Sequence, residues 1–239
     1  MDDTRRLRSA IVGLLGFAAA EEEMLLTSDI ACHSGPDRWA DVPLVAHTTE
    51  FKFQQVERIR AVRSGQTPRA YEEIDHSSPA TYSTYAARSA DEVIDDFRRT
   101  TAELVDGVRA LSDADLVDPA RHPWLRGRTL WLQIIVRGFW HPTGHAADYY
   151  LQHKWPDRAV ALQEQALATT RYLGAPDQAA GMAAYSLACA QAQAGVLDEA
   201  SKTLKEAITL NPDVRANASR DADLAPLRDN GQLTAILAP

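Results

Sequence analysis

Seven histidines punctuate this chain of 239 residues, and two of them, His141 and His145, stand four apart in a stretch that reads as helix. At that spacing both imidazoles leave one helix face, about 5–6 Å apart at Cβ, close enough to share a divalent ion. His47, on an earlier predicted helix, adds a third imidazole. Three imidazoles with one open position form a catalytic-type site for a borderline ion such as Zn²⁺ or Ni²⁺. Glu50, one turn after His47, is a fourth ligand or a base. Without an ion, His47 or His145 serves as general base, so the expected cofactor is a divalent metal or none. The bland alternative for His47 is a hydrogen-bonded core histidine. Asp148, three residues after His145, can fix the tautomer of a ligand histidine. Phe51, Trp140 and Tyr149 are expected to line an apolar pocket beside the histidines, with Gln54, Arg58 and Arg137 supplying polar contacts to a small-molecule substrate. Trp131 and Phe139 read as core.

These residues need long helices to hold them. Apolar residues at Leu7, Ile11, Leu14, Leu15 and Ala18 recur at helical spacing, which predicts a first helix over 4–28. A second runs from near Asp41 to Arg63, with Pro43 tolerated in its first turn. Residues 64–89, with Pro68, Pro79 and a Ser/Thr/Tyr-rich patch, read as irregular. Ser89-Ala-Asp-Glu92 has the form of a capping box and opens a third helix that reaches Leu111. A fourth runs from near Thr129 to His153, with a kink expected at Pro142. No strand pattern with period two exceeds a few residues. The expectation is an all-α chain whose residues 1–155 form a four-helix bundle.

The remainder, 156–239, has a different pattern. Leu187 and Ala188, then Gly195, then Ala200, Leu204 and Ala207, then Pro212, fit the spacing of a tetratricopeptide repeat. Small residues allow close helix approach and the proline ends the second helix. Ala146, Ala147 and Tyr150, followed by Ala159 and Ala166, suggest a partial earlier repeat, so the fourth helix is expected to serve both parts. Residues 213–237 read as a polar cap. The extension is a helical hairpin that enlarges the core, or a surface for a protein partner or a homodimer.

The stretches Trp39…His47-x-x-x-Phe51 and Trp140-His141-Pro142-x-x-His145 resemble the DinB/YfiT-like four-helix bundles. That superfamily includes metal-dependent thiol transferases and isomerases that use mycothiol, and the resemblance implies that His47, His141 and His145 are its metal histidines. Leu125-Arg-Gly-Arg-Thr-Leu130 followed by Trp140-His141-Pro142 is similar to the branch containing the colibactin self-resistance protein. This narrower likeness implies hydrolysis of a strained electrophile without metal. The function expected is therefore small-molecule chemistry on an electrophilic or activated natural product, by hydrolysis or by ring opening or closing, in self-resistance or biosynthesis. The alternatives are a thiol-dependent transferase or isomerase, or a protein that sequesters a toxin without catalysis.

Composition narrows the partners. The formal charge of −8 argues against a nucleic-acid binder. No apolar run reaches the roughly 18 residues of a membrane span. Arg5-Arg6-Leu7-Arg8 before an apolar stretch imitates a signal peptide, but the helical pattern continues past it, so a cytoplasmic protein is expected. Cys32 and Cys189 have no metal or redox spacing. The acidic runs Glu21–Glu23 and Asp95-Asp96 are expected to be solvated helix faces.

Overall fold

A computed structural model describes residues 2–27, 35, 38–71 and 79–238. Cys32, His33 and His76 lie outside the described residues. The described chain is all-α: α1 (Asp2–Thr27), α2 (Asp41–Arg63), α3 (Pro79–Ala86), α4 (Ala90–Ala110), α5 (Asp113–Val117), α6 (Leu130–Ile135), α7 (His141–Gln152), α8 (Pro156–Tyr172), α9 (Asp177–Gln193), α10 (Leu197–Leu210), α11 (Val214–Ala218), α12 (Ala225–Asp229) and α13 (Gln232–Leu237). No described helix is long and apolar enough to cross a membrane. Two compact units divide the chain, Met1–Pro142 and Thr143–Pro239.

In the first unit, α1, α2, α4 and the helix that begins at α6 pack together. The stripe on α1 works as its spacing predicts: Ile11, Leu14, Leu15 and Ala18 are all buried. The capping box of α4 is formed, with the Glu92 N–H donating to Ser89 Oγ at 3.3 Å and the Ser89 N–H donating to the Glu92 carboxylate at 3.1 Å. Val93, Phe97, Leu104 and Val108 then carry the buried face of α4 into the core.

Three expectations need correcting. Glu22 is not on a solvated face. It is 2% exposed, accepts the Thr48 hydroxyl at 2.6 Å and pairs with Lys52, itself 1% exposed. The charge run gave no sign of this because both partners sit on α2, one turn apart. Glu21 is buried too, while Glu23 stays near the surface and pairs with Arg98. Secondly, residues 79–86 of the tract read as irregular form α3, which packs on α2. Pro79 suits a first helical turn, where its missing N–H would have had no partner. Thirdly, the irregularity of the fourth helix precedes Pro142. A π-helical turn, Val136–Trp140, joins α6 to α7, and the His141 N–H reaches back to the Val136 carbonyl. Pro142 has no N–H for the regular ladder, so the widened turn absorbs its demand.

Gly138 makes that turn possible. A Cβ there would lie 2.3 Å from a Leu15 methyl and 3.1 Å from one of Leu104. Glycine here lets the turn pack this close to α1 and α4 without displacing the Leu15 and Leu104 methyls.

In the second unit, α8 packs on α9 and α9 on α10. Ala184, Ala188, Ala200, Leu204 and Ala207 are fully buried, so small side chains do set a close helix pair. Gly181 reports the same tightness, since a Cβ would approach the Asn211 backbone nitrogen to 2.8 Å. Within this unit Gln163 donates to the Thr143 carbonyl at 2.8 Å, tying α8 to α7.

Candidate metal centre

His47 lies on α2 and is 1% exposed. His141 opens α7 immediately after the π turn, and the Nε2 atoms of the two face each other at 3.2 Å. His145 follows one turn later on α7. One ring nitrogen from each of the three lies within 4.8 Å of the others. Two facing ring nitrogens at 3.2 Å need a proton or a cation between their lone pairs.

Packing fixes the first two rings. Phe51, one turn after His47, has its ring centroid 4.9 Å from that of His47 and 4.2 Å from that of His141. The Arg137 guanidinium covers Phe51 at 4.6 Å. Phe51 is 6% exposed and so acts as the wedge that orients both imidazoles, offering little surface to a substrate. On the other side of His47 lie Trp39 at 5.5 Å and Tyr85 at 5.3 Å, and Tyr82 meets Trp39 edge to face at 5.5 Å. Burial first, and Glu50 second, push the Tyr85 hydroxyl up to about 12. Tyr82 and Tyr85 come from α3. A tract rich in Ser, Thr and Tyr carries no helical period, which hid them; the tyrosine spacing of three was the one signal.

The other expected residues divide. Glu50 lies outside the set of converging ligand atoms; it accepts from Gln54 Nε2 at 3.2 Å, one turn along α2. Gln54 is buried in that pair. Trp140 is partly exposed, on the last residue of the π turn. Tyr149 follows His141 and His145 along one α7 face, but it is 1% exposed, with its ring against His153 at 4.2 Å and Tyr150 at 5.6 Å. It presents no accessible surface. Trp131 and Phe139 are core, as expected.

Asp148 approaches His145 Nδ1 at 3.8 Å, beyond hydrogen-bond length but within ion-pair range. Its carboxyl is pushed up to about 7 by desolvation, then by the charges of Asp223 and Asp221. With 47% of the side chain accessible, that desolvation is incomplete. Nearby in sequence space nothing announced a second cluster, in which Cys189, Asp221 and Asp223 bring ligand atoms within 4.8 Å of one another and the Tyr185 hydroxyl donates to Asp221 at 2.5 Å. Burial pushes the Cys189 thiol up, with help from Asp221 and Asp223.

Against known families, the sequence matches the DinB superfamily over residues 23–149, more than half the chain and including all three converging histidines. No curated protein and no solved structure matches it.

Proposed function

The chain belongs to the DinB superfamily, and from that premise we propose that it is a metal-assisted enzyme of small-molecule chemistry. Its substrate would be an electrophilic or activated compound, such as a strained ring or a carbon bearing a leaving group. The reaction would be hydrolysis, or ring opening or closing, serving self-resistance or biosynthesis. The observation that carries this reading is the convergence of His47, His141 and His145.

The donor set fits a divalent ion. Nitrogens bound at 2.0–2.1 Å in tetrahedral geometry lie about 3.3 Å apart, and the His47 and His141 nitrogens are 3.2 Å apart. An all-imidazole set suits Zn²⁺ or Ni²⁺ better than Mg²⁺ or Ca²⁺. Such an ion supplies a nucleophile by lowering the pKa of its water towards ~7.

The protein's own residues do the rest. Phe51 packs against both His47 and His141 and holds their Nε2 atoms toward each other. Trp39 and Tyr85 close the far side of His47 against water. Asp148 lies on the Nδ1 side of His145, which leaves Nε2 for coordination. His47 is sealed, whereas His141 and His145 are partly accessible, His145 with 23% of its side chain exposed, so a substrate or a proton reaches the trio from the α7 side. Residues 156–239 are read as a tetratricopeptide-like helical extension that enlarges the core beside α7 or docks a partner chain.

The test incubates the metal-loaded chain with small epoxides and activated cyclopropanes, with and without a thiol. Products are read by mass. Addition of one water, lost in His47→Ala, is the expected outcome. A thiol adduct in its place would support transferase chemistry at the same site. Stoichiometric binding without turnover would contradict the proposal.

A further inference from the structure

Arg58 stands three turns beyond His47 on the same stripe of α2, about 16 Å along the axis. It is 9% exposed, and its Nη1 is buried with no hydrogen-bond partner. It lines a recess of 410 Å³ in the first unit, together with Arg69, Arg126, Arg128, Trp124 and Gln133. Among the described residues, no acidic side chain lines this recess. Among the described residues, none of the four arginines makes an ion pair. Glu57 and Glu50 act on Arg69 only as secondary influences, so in a chain of net charge −8 these four guanidiniums share a recess with no carboxylate in its described lining. We propose that this recess is an oxyanion site for a phosphate group, free or as a phosphate monoester.

The arrangement favours in-plane recognition. The guanidiniums of Arg58 and Arg69 lie 4.8 Å and 4.5 Å from the centroid of one ring, Tyr71. A guanidinium has five N–H donors; Arg69 commits part of its edge to Tyr71, and a guanidinium over a ring face keeps further N–H groups for a bidentate acceptor. Arg126 is held at φ 54°, in the left-handed region that non-glycine residues rarely adopt. That backbone directs the Leu125–Arg128 loop around the recess, and strain of this kind concentrates at ligand clamps. Burial first, and the charge of Arg137 second, weaken the hold of Arg58 on its proton, as expected of a cation that lacks a counter-charge.

The chemistry selects phosphate over carboxylate. A carboxylate offers two oxygens and one charge. A phosphate monoester offers three terminal oxygens and a charge of about −1.5 to −2 near neutral pH, a better match to four forks. The recess is larger than a lone phosphate requires, and Trp124 gives it a flat wall for an organic substituent.

This site goes beyond the histidine reading and does not rest on it. The test titrates the full chain by calorimetry, after metal has been removed with a chelator, in buffers matched for ionic strength. Inorganic phosphate and phenyl phosphate are compared with acetate. The expected result is saturable one-to-one binding of phosphate that weakens at least tenfold in Arg126→Gln/Arg128→Gln. These two residues are exposed, so the variant should melt like the parent. Tighter binding of phenyl phosphate would identify a monoester; equal binding would identify the free ion. Affinity for phosphate no greater than for acetate would overturn the proposal. So would unchanged affinity in the double variant, or loss of binding in His47→Ala.

Discussion

Lys52 shows how much of the site depends on residues that do no chemistry. It is sealed in the core, paired with Glu22, and its charge also sits 4.7 Å over the Phe97 ring. Burial lowers its pKa, while Glu22 opposes the shift. The pair joins α2 to α1 at the turn that carries Thr48, next to His47. Lys52→Met leaves Glu22 buried and uncompensated, which should cost ~3–5 kcal/mol in urea unfolding. Glu22→Gln/Lys52→Met should cost less than the single change; equal or greater loss would contradict this account of the pair. Asp223 gives a second prediction. Burial and Asp221 raise its pKa, so the folded chain keeps a proton that the unfolded chain releases. Stability from this group therefore falls as pH rises above the ordinary carboxylate value of about 4. Asp223→Asn should raise the melting temperature at neutral pH and leave it nearly unchanged at about pH 4. At this scale the sequence was legible where residues share a helix. His141 and His145 declare themselves by their spacing. Lys52 and Glu22 do not, because only tertiary packing unites them.

Among the elements, the π turn before α7 is the one on which the histidines depend. It advances His141 by one extra residue relative to a regular helix, and so decides which side chain meets His47. The proline marked the place, but no residue pattern distinguishes a widened turn from a kink. Gly138→Ala forces a methyl into Leu15 and Leu104, and overpacking of this sort costs ~1–3 kcal/mol. Gly138→Ala is expected to lose stability and, if relief moves the turn rather than the leucine methyls, to bind metal more weakly. Destabilisation with unaltered metal affinity would place the relief in the leucine methyls, and unchanged stability would contradict the close approach. The capping box of α4 and the stripe of α1 were readable in advance because each is a local rule. The helix α3 was not, because Pro79–Ala86 has no buried face of its own to impose a period. Its tyrosines matter through the rings they cover.

For the whole molecule, the sequence suggested a boundary after residue 155, whereas the compact units divide at Pro142–Thr143. The difference places α7 with the helices that follow it. Ala146, Ala147 and Tyr150 are buried, and Gln163 depends on the Thr143 carbonyl. A fragment 156–239 should therefore fail to melt cooperatively, while 143–239 retains its internal partners. A cooperative transition in the shorter fragment, followed by circular dichroism, would contradict that division. The four arginines of the recess were equally hidden, because they are scattered over 71 positions from Arg58 to Arg128 and only the fold collects them. The central claim remains that His47, His141 and His145 form one binding site for one ion. The most direct measurement is the metal content of the purified full chain, by elemental analysis after growth with Zn²⁺ and Ni²⁺, beside a variant with all three histidines changed to alanine. The account predicts close to one divalent ion per chain in the parent and none in the variant. A parent that carries no ion, or a variant that retains it, would contradict it.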